Sequence, residues 1–459
     1  MSSETLNDDA TPAPPAPATS WLNVAKISHM WRALAHPNFR LFFYGQTISL
    51  VGTWMSRIAT SWLVYRLTGS AFLLGVVGFA GQFPSFVLAP FAGVFVDRWN
   101  RHHLLVITQV LAMVHVTLLA VLTLGHWITV WQVAALSVFQ GLINAFDMPA
   151  RQALIIQMID KKEDLSNAIA VNSSMVNGAR LIGPSVGGVL IAAVGEGWCF
   201  AIDAISYLAV IATLLMMKIA PARRDDTARK DVLTDFREGW AYVASSRTIR
   251  SILLLLALVS LVGMPYTVLM PVMANEYLGG GPNTLGIMMA ATGVGALIGA
   301  IFLTARKTVL GLGKFIPLAS IFFGMGLFFF SMSRTLWLSA PLLVLTGYGF
   351  INQLAVSNTL LQTIVDEDKR GRVMSFYMMA FMGTAPFGSL LAGSIAERLG
   401  APTTLMIGGI GCVLGGLWFF RILPELREEI RPIYRKKGIL PQIATGVQEA
   451  SELRVPPES

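Results

Sequence analysis

Charge is scarce in this chain: Asp, Glu, Lys and Arg make up 13% of its 459 residues, against 54% hydrophobic. A soluble globular surface needs roughly a quarter of its residues charged, so a water-soluble fold is excluded. Cysteine is scarcer still. Cys199 and Cys412 both fall inside apolar runs, which excludes a secreted-type disulfide framework and leaves two small buried apolar side chains. The six histidines, His29, His36, His102, His103, His115 and His126, never form a His-Glu-x-x-His pattern, and no Gly-x4-Gly-Lys-Ser/Thr loop is present. An intramembrane hydrolase and an ATP-driven pump therefore lack their chemistry, and neither a metal nor another cofactor is expected. The formal charge of +8 is not gathered into a basic patch with interleaved aromatics, so nucleic acid is not an expected partner.

What the chain has in abundance is long apolar runs. About 20 such residues cross the roughly 30 Å of hydrocarbon in a bilayer at 1.5 Å per residue. Twelve runs qualify, at 39–65, 72–96, 103–125, 128–148, 168–195, 198–217, 250–275, 284–305, 315–333, 336–358, 373–396 and 402–423. The fold class expected is an all-α membrane protein, twelve transmembrane helices in two six-helix bundles. The organisation that follows is a tail at 1–38, disordered over its first ~20 Ala/Pro/Thr-rich residues, and a bundle at 39–217. After it come a linker at 218–249, a second bundle at 250–424 and a tail at 425–459. No basic, short-apolar, small-residue signal peptide opens the chain. Alternate segments between the spans carry 29 of the 34 Lys and Arg, and the other set carries three. By the positive-inside rule both termini are cytoplasmic, and lipid is the surrounding partner.

The linker breaks the apolar pattern with Arg223-Arg224-Asp225-Asp226, and its later part, 233–242, spaces apolar and aromatic residues for an amphipathic helix on the membrane face. The halves on either side echo each other. Leu74-Gly75 parallels Leu285-Gly286, the acidic loop 157–164 parallels 362–369, and Gly183-Pro184 parallels Ala385-Pro386, each at an offset a little over 200. Such a repeat is a mark of transporters.

Gly93-x3-Asp97-Arg98-x2-Arg101, between spans 2 and 3, resembles the loop signature of the major facilitator superfamily, with Asn100 and His102 standing where that family has Gly and a second basic residue. The resemblance implies a cytoplasmic latch that stabilises one access state. Asp147 and Arg151 at the end of span 4, and Arg370 and Arg372 before span 11, fall on the same face and are expected to join it. In span 5, Gly178-x4-Gly183-Pro184-x2-Gly187-Gly188 resembles the Gly-Pro motif of exporters. Missing side chains and a proline together allow close approach and bending, which suits a gate. Span 4 departs from the family: Gln140-Gly141-x3-Ala145 fits, but Ser137 replaces the arginine of proton-linked members. Gly52-Thr-Trp54-Met55-x-Arg57, Pro149-Ala-Arg151-Gln-Ala-Leu154 and Arg370-Gly-Arg372-Val-Met-Ser375 are similar to the enterobactin-exporter-like and macrolide-efflux-like branch. That branch implies a monomeric exporter of an amphipathic small molecule, with proton antiport, in the cell inner membrane. A lipid translocator is the alternative.

Ionisable groups inside the spans are candidates for substrate and coupling. Arg180, near mid-membrane, is placed to bind an anionic group or a carboxylate that exchanges with it. Arg57 and Asp203 lie at similar depth and are expected to pair, with Asp203 also the candidate proton carrier. Gln46, Asn172, Asn177, Asn352 and Gln353 add uncharged polar groups on spans expected to line the cavity.

Overall fold

The computed structural model describes residues 32–219, 232–306 and 311–436, apart from the side chains of 89, 90, 93, 94, 97, 98, 162, 232–235 and 436. Six helices come first: α1 (Pro37–Thr68), α2 (Ala71–Arg98), α3 (Arg101–Leu124), α4 (Val130–Gln157), α5 (Leu165–Val194) and α6 (Glu196–Met216). A linker helix, α7 (Val232–Ser245), leads to six more: α8 (Arg247–Tyr277), α9 (Pro282–Thr304), α10 (Leu312–Met332), α11 (Leu336–Ile364), α12 (Arg370–Leu399) and α13 (Ala401–Lys436). Eleven of these are long and apolar enough to cross a membrane among the described residues. The other long one, α1, carries Gln46, Thr47, Ser49, Thr53, Ser56 and Arg57 along its middle, and its function rather than its length explains that polarity.

Reversals between neighbouring helices are tight. Gly69, Gly195 and Gly400 take φ of 59°, 88° and 83° between α1 and α2, α5 and α6, and α12 and α13, where a side chain would be strained. All three lie at one end of the bundle, called here the Gly69 end; the other is the linker end. Thr129 and Gln132 close a capping box on α4.

Helices α1–α6 pack among themselves, α1 on α5 and α6, α2 on α4, and α3 on α4 and α6. In the second half α9 packs on α11, and α10 on α11 and α13, around fully buried Phe323, Phe330, Phe350 and Phe419. Helix α13 runs on to Lys436 through residues expected to form a tail from 425. Its Glu429 accepts hydrogen bonds from Thr248 N–H (3.0 Å) and Thr248 Oγ1 (2.8 Å) at the start of α8, satisfying donors that a helix N-terminus leaves open. That tie makes the extra turns worth ordering.

The two halves meet through two helix pairs, α2 with α12 and α5 with α9. Each crossing is glycine on glycine. A Cβ added at Gly75 would stand 3.1 Å from Gly393 Cα, and one at Gly188 would stand 2.9 Å from Gly286 Cα. Backbone meets backbone there, which only glycine permits. Polar contacts seal the same end: Tyr65 Oη donates to Glu276 (2.8 Å), and Glu397 accepts from Ser70 Oγ (3.0 Å) and Phe72 N–H (3.0 Å) at the N-terminus of α2. The first turns of α12, Arg370–Met378, pack on α7, α8 and α11. Helices α8 and α12 each contain π-helical turns, Val259–Gly263 and Met273–Tyr277 in the first and Met379–Gly383 in the second. Such wider turns frequently mark functional segments.

Gly188→Val would press a branched side chain onto the backbone of α9. The closed Gly69 end should lose about 1–3 kcal/mol relative to its open alternative. Spin labels at Leu67 and Leu399, both exposed at that end, should report a longer distance in the variant; an unchanged distance distribution would contradict the close-contact account.

Candidate functional site

At mid-height the bundle holds two guanidinium groups and no matching carboxylate. Arg57 on α1 lies 11 residues from the helix end, about 17 Å at 1.5 Å per residue. Arg180 on α5 and Phe350 on α11 each lie 14 residues from the Gly69 end of their helices, about 21 Å. The Arg57 guanidinium stands 4.8 Å from the centre of the Trp54 ring and that of Arg180 stands 5.5 Å from the same ring. Arg180 is also 5.6 Å from the centre of Phe350, so one cation touches aromatic faces of both halves. Rings of this kind attract cations by their quadrupole. Arg57 is exposed and Arg180 half-buried. Among the described residues neither forms an ion pair with Asp or Glu.

The expected Arg57–Asp203 pair is therefore not formed. The reason is helical geometry. Asp203 faces Gly52 and Ser56, one turn apart on α1, where its Oδ1 would lie against any Cβ at Gly52, whereas Arg57 and Trp54 turn toward Arg180. Asp203 is 1% exposed. Its Oδ1 accepts from Ser206 Oγ at 3.2 Å, and its Oδ2 has no partner among the described residues.

Asp147 and Arg151 occupy a different place from the one expected. Asp147 sits ten residues inside the linker end of α4, about 15 Å deep, and is 9% exposed. Its Oδ1 accepts from Thr108 Oγ1 (2.8 Å) and Gln109 Nε2 (2.6 Å), while its Oδ2 accepts from Arg151 Nη2 (2.7 Å) and Nε (3.2 Å). Arg151 Nη1 donates to Gln46 Oε1 on α1. Four hydrogen bonds thus converge on this one carboxylate. A cavity of about 60 Å³ adjoins this network, lined by polar groups including Thr53, Gln140, Asn144 and Tyr207. These two residues thus tie α1, α3 and α4 together inside the first half.

Arg370 and Arg372 have acidic neighbours of their own. Arg372 Nη1 donates to Glu238 on α7 at 2.8 Å, and Arg370 lies 3.8 Å from Glu367. Phe236 and Trp240 of α7 stack on Phe376, 5.2 and 6.0 Å between ring centres, so α7 is docked on the start of α12. Gly93, Asp97 and Arg98 fall at the end of α2 with side chains outside the described residues; Arg101 opens α3. The two family departures have structural work. Asn100 Oδ1 caps α3 by accepting from the N–H groups of His102 (3.0 Å) and His103 (3.3 Å), and His102 Nε2 lies 2.7 Å from Leu214 O of α6.

Of the candidate gating helix, Gly183 and Gly187 let α5 lie against Val51, Trp54 and Met55 of α1, and Gly188 meets α9. Pro184 is buried within the helix. Gly178 has open space around it. Gln46 joins the Arg151 network, with its Nε2 lacking a partner among the described residues. Asn177 donates to Ser173 O of its own helix (2.9 Å) and Asn352 to Tyr348 O (2.9 Å). Among the described residues, Asn172 Oδ1, Asn352 Oδ1 and both amide atoms of Gln353 are buried without partners. Trp54, as the platform for both cations, was visible in the sequence only as one aromatic among several. No group of His, Cys, Asp and Glu suited to a metal occurs among the described residues.

A family model described as a transmembrane secretion effector matches residues 28–449. The chain belongs to the major facilitator superfamily. Members of this family are transporters, not enzymes. This superfamily member is 26% identical over 398 residues to the staphyloferrin A transporter of Staphylococcus aureus (strain NCTC 8325 / PS 47), covering 85% of this chain and 98% of that one. It is 26% identical over 399 residues to the multidrug efflux pump Tap of Mycolicibacterium fortuitum, covering 84% and 96%. Its fold matches a crystal structure of a bacterial homolog of the human lysosomal transporter Spinster, with a TM-score of 0.67 at 12% identity, covering 86% of this chain and 97% of that one.

Arg151→Met would leave the Asp147 carboxylate buried with only neutral donors, a loss of about 3–5 kcal/mol. Adding Asp147→Asn should restore part of it, so the double variant should melt above the single in detergent. Strictly additive losses would argue against a coupled pair.

Proposed function

We propose that this transporter is a secondary active exporter of an amphipathic small molecule, a siderophore or a drug, working by alternating access and proton antiport. It acts as a monomer in the cell inner membrane with both termini cytoplasmic. The orientation rests on the Lys and Arg excess at the linker end, which makes the Gly69 end the outer one. The observation that carries the reading is where the halves meet and what they hold. Two glycine crossings join them toward the outer end, and midway, among the described residues, stand two cations without an acidic partner. A site reached from one side at a time, with helices built to part, is what alternating access requires. The relatives' printed roles, a siderophore transporter and a multidrug efflux pump, support efflux.

Asp203 is the proposed proton carrier. It is a buried carboxyl with one oxygen left without a partner among the described residues, whereas both oxygens of Asp147 are engaged, by four donor atoms in all. Span 4 supplies no arginine at Ser137, so coupling must reside elsewhere, and α6 offers this acid beside α1.

A strain lacking the gene should accumulate toxic amphiphiles or secrete less siderophore under iron limitation; equal resistance and equal secretion would reject export. In proteoliposomes, Asp203→Asn should abolish uptake or release driven by a pH gradient and retain substrate exchange without one. Unchanged gradient-driven transport would remove Asp203 from the coupling role.

A further inference from the structure

The mid-bundle site is chemically one-sided. Arg57 and Arg180 lie within 4.8 and 5.5 Å of one indole ring centre, at a depth where a lone cation is expensive. Like charges this close repel, and the acids nearby are committed or turned away. Asp147 is held by Arg151, Glu276 by Tyr65, and Asp203 faces Gly52 and Ser56. The aromatic faces of Trp54 and Phe350 offset only part of that cost. A cationic drug would add a third positive charge. What the site lacks is negative charge on a flat framework. Guanidinium forks match carboxylates geometrically, and the half-buried Trp54 ring between them offers a stacking surface.

Resting on the export reading above, we propose that the site takes an acidic, unsaturated compound, with one carboxylate for Arg57, a second for Arg180, and a planar body against Trp54. The ligand's charge would relieve the repulsion between the arginines, and because Arg180 rests on Phe350 of the second half it would act where the halves meet. Binding would then favour the arrangement in which these groups converge.

The probe is naphthalene-2,6-dicarboxylate, measured by calorimetry against its dimethyl ester and against sulfate, with the purified full chain in phosphatidylcholine nanodiscs. The diacid should bind at least about tenfold tighter than the ester or sulfate, and Arg57→Gln or Arg180→Gln should each weaken it about tenfold while leaving the ester unaffected. Arg57→Lys and Arg180→Lys should recover part of the loss. Diacid and ester of equal affinity in the unaltered protein would overturn the proposal, whatever the variants do. So would sulfate matching the diacid, or phosphatidylglycerol in the disc displacing it, since either makes the arginines a general anion or lipid-headgroup site. The measurement uses no gradient. Failure of the export reading would appear as equal efflux with and without the protein, and would leave the diacid-to-ester ratio untouched.

Discussion

Contact of backbone with backbone at two glycine pairs is the constraint on which the arrangement of the halves depends. In lipid, water gives helices little reason to associate, and close van der Waals approach takes over that role. Gly75 against Gly393 and Gly188 against Gly286 are the places where this approach joins the halves. The four residues are related by the internal repeat. Leu74-Gly75 and Leu285-Gly286 open corresponding helices, and each glycine meets a partner near the end of the helix before the last of the opposite half. In the proposed alternating-access cycle these two crossings serve as the hinges, because neither requires a side chain to leave a pocket.

Charge within the bundle is divided by the same logic. Asp147 and Arg151 are fully partnered and stiffen the first half internally. Glu238 with Arg372, and Glu429 with Thr248, fasten α7 and α13 to the second half. Each of these ties lies within one half or fastens an element to it. Bonds that cross between the halves, Tyr65 with Glu276 and Ser70 with Glu397, lie at the Gly69 end, where the proposed change of access state breaks them. Hydrogen bonds to a charged group contribute roughly 1.5–3 kcal/mol each at most, so two of them seal the end without locking it.

Much of this was legible in residue order alone. Apolar length gave the helices, and the duplicated Leu-Gly marked two of the four crossing glycines before any contact was visible. The Gly-Pro run in span 5 contained a third, Gly188. What the sequence did not disclose was facing. Arg57 and Asp203 were matched by depth, a quantity that counting residues supplies, yet pairing depends on azimuth about the helix, and positions 52 and 56 turn one way while 54 and 57 turn another. The same blindness grouped Asp147 and Arg151 with Arg370 and Arg372. All lie toward one membrane face, but Asp147 lies inward of it by ten residues and points at α3. Asn100 and His102 read as weakened motif positions; only the cap on α3 and the contact with Leu214 explain them.

The polarity of α1 follows from where it stands. It presents Gln46 to Arg151 and Trp54 with Arg57 to Arg180 along one side, and Gly52 to Asp203 on another, two faces used for three charges. A helix serving so many polar neighbours cannot keep the continuous apolar surface of its companions, which is why the hydropathy measure that marks the other eleven spans misses it. Its low hydropathy and the charge surplus beside Trp54 are therefore one fact seen twice. The first half spends its most polar helix on holding acids and bases in place, and the two arginines left without an acid are the part of that arrangement that a ligand from outside the chain would complete.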